Sequence, residues 1–157
     1  MLVRTGLALA LAVGLVGSCG GTEGANDPQT PPTSGRESME KWLAAGYYKS
    51  WKCEGAAHAQ RSPSPHGINR ICSNTLLSAA GTGEYPVGSA AVKELFDAAG
   101  TQIAGYAVYL HTKAGKTGDT WYWYERVPLD SAAPHDTNGI VADGSGASGP
   151  AMTICVG

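Results

Sequence analysis

Charge is scarce in this chain of 157 residues. Asp, Glu, Lys and Arg make up 15% of it, against about 25% in an average soluble chain, and the formal net charge is −2. A chain so balanced and so poor in basic residues lacks the electrostatic footprint of a nucleic-acid binder, and no such partner is expected. Long apolar runs are also missing. The stretch from Thr5 to Ser18 is the candidate, and it falls short of the roughly 20 residues that a helix needs to cross a bilayer. No two of the four histidines stand at i, i+3 or i+4, and two prolines separate the nearest pair, His58 and His66. The spacing therefore gives no dedicated metal site. No G-x-S-x-G elbow occurs among the serines, which argues against a serine hydrolase.

What is present begins with an address. Residues 1–18, "MLVRTGLALALAVGLVGS", carry one early positive charge and then an apolar, small-residue run of secretory length, so they read as a signal peptide. The following "VGSCG" resembles a bacterial lipobox, which implies acylation of Cys19 and a partner in the membrane surface, reached through a lipid anchor. Ordinary secretory cleavage nearby is the alternative. Either way the protein belongs to the bacterial cell envelope, in the periplasm or on the outer surface. Residues 19–37 are rich in Gly, Pro and Thr and have no apolar period, so they form a lipidated flexible tether. A single domain is expected over 38–157.

Within it, "MEKWLAAGYYKSW" after Ser38 spaces Met39, Trp42, Leu43, Gly46 and Tyr47 as one face of a helix. Trp42 and Tyr47 are then core residues. The prolines of "RSPSPHG" interrupt regular structure, and His66 is expected to tie that loop down. A short apolar segment, "TLLSAAG", precedes three candidate strands: "AAVKELFD", "QIAGYAVYLHT" and "TWYWYERV". The loop "KAGKTGD" has the composition of a hairpin connection, so the last two strands should be antiparallel neighbours. Alternation puts Trp121 and Trp123 on one face and Tyr122 and Tyr124 on the other, as core packing plus a pocket wall. Residues 128–150 lack a period and read as a long wrapped loop. The fold class is α+β, a mainly antiparallel sheet with packed helices.

Four cysteines stand at 19, 53, 72 and 155. Lipidation of Cys19 leaves three in an oxidising compartment, so one stays unpaired. Cys53 and Cys72 flank the proline-rich loop, and a bridge between them would contribute roughly 3 kcal/mol by loop closure. Two other pairings, and reduced buried thiols, remain as alternatives.

The ordered set "SPHGINRICSN", "YPVGSAAVKEL", "GYAVYLHTKAG", "TWYWYERV" and "CVG" resembles the cytochrome P-460 family, relatives of cytochrome c'-beta, over most of residues 40–157. The resemblance implies a mainly antiparallel sheet holding one haem c and binding or oxidising small nitrogen compounds such as hydroxylamine or nitric oxide, with an electron-transfer protein as a further partner. Lys93 matches the lysine that the hydroxylamine-oxidising members cross-link to haem, and Cys155 matches the first haem-attaching cysteine. The second cysteine and the axial histidine would follow Gly157, and His58, His66, His111 and His135 do not match that position. With the haem motif incomplete in these residues, hydroxylamine oxidation depends on its completion. A haem-free binding or structural lipoprotein domain is the alternative. An exposed strand lysine is the plainer reading of Lys93.

Overall fold

The computed structural model describes residues 28–146 apart from 63 and 65. Residues 1–18, expected to be a signal peptide, and Cys19 and Cys155 lie outside the described residues.

The first helix, α1 (Arg36–Ala45), ends where Gly46 turns left-handed at φ 71° and its N–H reaches the Leu43 carbonyl. Glycine takes that conformation without the Cβ clash that other residues suffer. The chain then tightens into a 3₁₀ turn over Tyr47–Ser50. This stop changes the expected face. The helical period would bury Tyr47, but the tighter turn exposes it at 41% and buries Tyr48 completely. The packed chain also extends back beyond Ser38. The Trp42 indole donates to the Pro28 carbonyl at 2.7 Å, and Ser50 and Trp51 both donate to Gln29 Oε1. Residues from Pro28 onward are thus fastened to the helical layer, within the span whose composition reads as tether.

Among the described residues six strands follow: β1 (Lys52–Cys53), β2 (Asn69–Ser73), β3 (Ala90–Phe96), β4 (Ile103–His111), β5 (Trp121–Arg126) and β6 (Ile140–Ser145). They pair in sequence order as one antiparallel sheet. A second short helix, α2 (Thr75–Ala79), sits between β2 and β3, and the Asn74 side chain caps it by accepting from Leu77 N–H. With α1 packed on the sheet, the architecture is α+β. The β4–β5 hairpin forms as its loop composition indicates.

Strand β6 corrects the reading of residues 128–150 as a continuous loop. Its sequence, IVADGS, is too rich in small residues to carry a strong strand signal. It forms because it covers the otherwise open edge of β5, from Tyr122 opposite Ser145 to Arg126 opposite Ile140. Gly139, at φ 78°, makes the entry: a Cβ there would stand 2.3 Å from the Val127 carbonyl oxygen.

Cys53 and Cys72 are direct cross-strand partners on β1 and β2, and they are joined as a disulfide. The bridge pins a two-residue edge strand that has little else to hold it.

The sheet buries both faces. The face carrying Val92, Val108, Leu110, Tyr122 and Tyr124 packs against Met39, Trp42 and Leu43 of α1 and against Tyr48. Each such apolar side chain contributes about 1.5–3 kcal/mol when fully buried. Polar ends within this layer meet carboxylates: Tyr48 donates to Glu94, Tyr124 to Glu40 and Tyr122 to Asp143. The opposite face carries Lys93, Ala107 and Glu125 in one cross-strand row, beside a small apolar cluster of Leu95, Val127 and Val141.

Candidate functional site

Among the described residues, the face opposite α1 is covered by loops, and the cover leaves an opening. A cavity of about 560 Å³ opens between the sheet and the loops that carry His66–Ile68 and Pro128–Pro134. Its sheet side is formed by Leu95, Tyr109, Trp123, Glu125, Val127 and Val141. This volume and mostly apolar lining, with few polar groups, fit the usual profile of a small-molecule site, which spans about 300–1,000 Å³. Larger clefts exist, one of about 780 Å³ beside Arg36 and Arg126, but that one is an open polar surface.

Two ionisable side chains, His66 and Glu125, line the cavity, and a third, Lys93, lies in the same cross-strand row as Glu125. Glu125 is 8% exposed and Lys93 is 9% exposed, and Ala107 separates them in register. The exposed-lysine reading of Lys93 therefore fails. β3 is the third of six strands and is covered on both faces, so even its outward-alternating lysine is enclosed. Its ammonium donates to Ser64 Oγ at 3.4 Å. His66 Nδ1 lies 3.5 Å from Glu125 Oε1, and the His66 backbone N–H donates to Ser64 Oγ within the same loop.

Burial governs the protonation of all three. It lowers the Lys93 pKa, against the opposing charges of Glu125 and Glu54. It raises the Glu125 pKa, against the charge of Lys93. It lowers His66 to about 4, and Lys93 adds to that effect. Desolvation disfavours the charged form of each group, while attraction between lysine and carboxylate works the other way. At neutral pH His66 is an uncharged imidazole next to a carboxyl group whose proton affinity is increased. Such a group can take or give a proton at the cavity wall.

A pH dependence follows for His66. The unfolded histidine titrates near 6.5 and the folded one near 4, so the unfolded state binds the proton first as pH falls. The stability at stake is full above about pH 6.5, declines between 6.5 and 4, and changes no further below. Glu125, with a raised folded pKa, works in the opposite sense: its contribution is present at low pH and lost as pH rises through its folded value. The difference between the parent and His66→Gln isolates the histidine. We expect the variant to lose about 1–2 kcal/mol less than the parent between pH 7 and 4, a discount on the full linkage because solvent reaches the cavity. Urea unfolding at both pH values checks this, and parallel losses would refute it.

The remaining histidines lie elsewhere. His111 is buried, with Nε2 3.1 Å from both the Gly115 carbonyl and Thr120 Oγ1. His58 meets Glu54 at the β1 end, and His135 sits in the loop before β6. Sequence reasoning singled out Lys93 but missed Glu125. The usable signal was alternation: Glu125 falls on the same face as the two tryptophans of β5, where a charged residue between apolar neighbours marks an enclosed polar group. Comparisons with protein-family profiles, with curated proteins and with solved structures match nothing to this chain.

Proposed function

We propose that this is an extracytoplasmic domain of the cytochrome P-460 kind, whose cavity takes haem c for binding or oxidising small nitrogen compounds. The observation that supports this reading most is the enclosure of Lys93 and Glu125 on the cavity face of the sheet. The described lining suits the apolar part of the group. Leu95, Val127, Val141, Tyr109 and Trp123 supply an apolar wall for a flat macrocycle, and Cys155 would supply a thioether. Bound haem would supply an iron centre able to hold a small nitrogen compound and take up electrons.

The protein's own part is exclusion and proton handling. The loops bearing His66 and Pro128 limit water at the cavity, which strengthens every electrostatic interaction inside. Glu125 is the carboxyl that would accept a proton from a nitrogenous ligand, because burial has raised its proton affinity. His66, uncharged, faces it through Nδ1 and would relay the proton outward. Lys93, as a buried amine of lowered pKa, keeps a larger uncharged and nucleophilic fraction than a surface lysine, as a covalent link would require.

The test is a visible absorption spectrum of protein matured in a periplasm competent for c-type cytochromes. The 157-residue chain and the same chain followed by Cys-His are compared. With the second thiol and the imidazole added, a Soret band that persists through denaturing electrophoresis is expected, whereas the shorter chain should hold no stable covalent haem. A colourless extended protein would overturn the haem reading and leave a haem-free binding module. Covalent haem on the shorter chain would overturn the roles given to the two added residues.

A further inference from the structure

A row of aromatic rings runs from the cavity to the surface, and beyond Tyr109 and Trp123, which belong to the cavity wall, neither the core nor the proposed site accounts for it. Tyr109 and Trp123 line the cavity, with ring centroids 5.0 Å apart. Trp123 is 6.3 Å from Trp121 on the same face of β5. Trp121 is 5.7 Å from Tyr85, which belongs to the loop entering β3 and is 43% exposed. His111 packs against Trp121 at 4.6 Å. Tyr122 and Tyr124, by contrast, are closed into the core on the other face.

Indole and phenol are among the side chains that lose one electron most readily to a strong oxidant. Tunnelling rates fall steeply with distance, so rings at these separations exchange electrons far faster than the cavity could with the surface in a single step. We propose that Trp123, Trp121 and Tyr85 form an outlet for oxidising equivalents, delivering an electron inward from the exposed phenol to a strongly oxidising metalloporphyrin held in the cavity. The proposal rests on the redox reading of the cavity, since only a strongly oxidising occupant draws an electron from indole.

The oxidant gains one electron from Trp123. The resulting indole radical cation is refilled from Trp121, and Trp121 from Tyr85. Tyr85 ends as a neutral phenoxyl radical, having given its electron to Trp121 and its phenolic proton to water. Its exposure supplies that water. The direction is downhill because a phenol that sheds its proton is easier to oxidise at neutral pH than an indole. The damage is thereby moved from the cavity wall to a ring that a soluble reductant can reach.

The experiment uses the chain without any cofactor. Azide radicals generated by pulse radiolysis oxidise indoles, and the indole and phenoxyl radical bands are followed in time. The parent is expected to show an indole decay matched by phenoxyl growth. In Tyr85→Phe, a surface replacement that keeps the ring, that matched phase should be lost, and in Trp121→Phe likewise. Trp51, which packs with Trp42 on the other side of the sheet, contributes the same background to all three proteins. A Tyr85→Phe protein that retains the parent's matched phase overturns the outlet. Because no haem takes part, a colourless result in the absorption test leaves this outcome readable, and a failed outlet leaves the haem reading intact.

Discussion

Replacing Glu94 with alanine is expected to cost about 3 kcal/mol, a large share of the 5–15 kcal/mol that holds a domain of this size together. Glu94 is fully buried. One carboxylate oxygen accepts from the Tyr48 hydroxyl at 2.8 Å and the other from Arg70 Nε at 2.7 Å. Burial, and then the bond to Glu94, raise the Tyr48 pKa far above the ordinary tyrosine range, so this phenol stays a donor at any working pH. Truncation takes from the buried Tyr48 hydroxyl its carboxylate acceptor, leaving Tyr106 as its polar neighbour, and deprives Arg70 of its counter-charge. Arg70 is 30% exposed in its side chain and can turn partly to water, which keeps the loss at the lower end of the range for broken buried pairs, about 3–5 kcal/mol. Glu94→Gln retains an acceptor for Tyr48 and should cost about half as much. Glu40→Ala is the comparison: Glu40 also accepts from a tyrosine and an arginine, but its side chain is 33% exposed, so its loss should be smaller. Urea unfolding at neutral pH measures all three. Equal losses for Glu94→Ala and Glu40→Ala would show that burial does not set the scale here.

The elements legible in the sequence are those whose pattern and packing agree. The hairpin of β4 and β5 combines strict alternation with a Gly- and Asp-containing loop, and the split of Trp121 and Trp123 from Tyr122 and Tyr124 follows from it directly. The Cys53–Cys72 bridge was favoured because the two cysteines flank one loop. Strand β6 was hidden because Ala, Asp and Gly carry little strand preference of their own. The free edge of β5 organises that segment, and an edge is a tertiary fact. The exchange of Tyr47 for Tyr48 has a similar origin, since the helical period says nothing about the tightening after Gly46. At the site, Lys93 was found by resemblance, whereas its burial could not be read from "VKEL". A lysine in an amphipathic strand is ordinarily the exposed member, and only the central position of β3 and the loops over the outer face enclose it.

That enclosure makes Lys93 the most informative residue to change. Lys93→Met keeps an unbranched chain that fills the same space and removes an amine whose ionisation burial opposes. We expect the colourless protein to be as stable as the parent, or more stable by about 1 kcal/mol, at neutral pH, because the cost of desolvating the ammonium disappears. The loss of positive charge should also raise the pKa of His66, which Lys93 lowers, and raise that of Glu125 further. NMR titration of the His66 ring reads the first effect, and an unchanged histidine would show that the two groups do not interact. In the chain extended by Cys-His, Lys93→Met and Lys93→Arg separate two roles. Arginine keeps the charge but presents no primary amine. If the lysine is bonded to the macrocycle, both variants should show the same absorption spectrum, shifted from that of the parent. If Lys93→Arg keeps the parent spectrum while Lys93→Met does not, the role is electrostatic. If neither spectrum moves, Lys93 is a structural residue beneath a plainer gas-binding site.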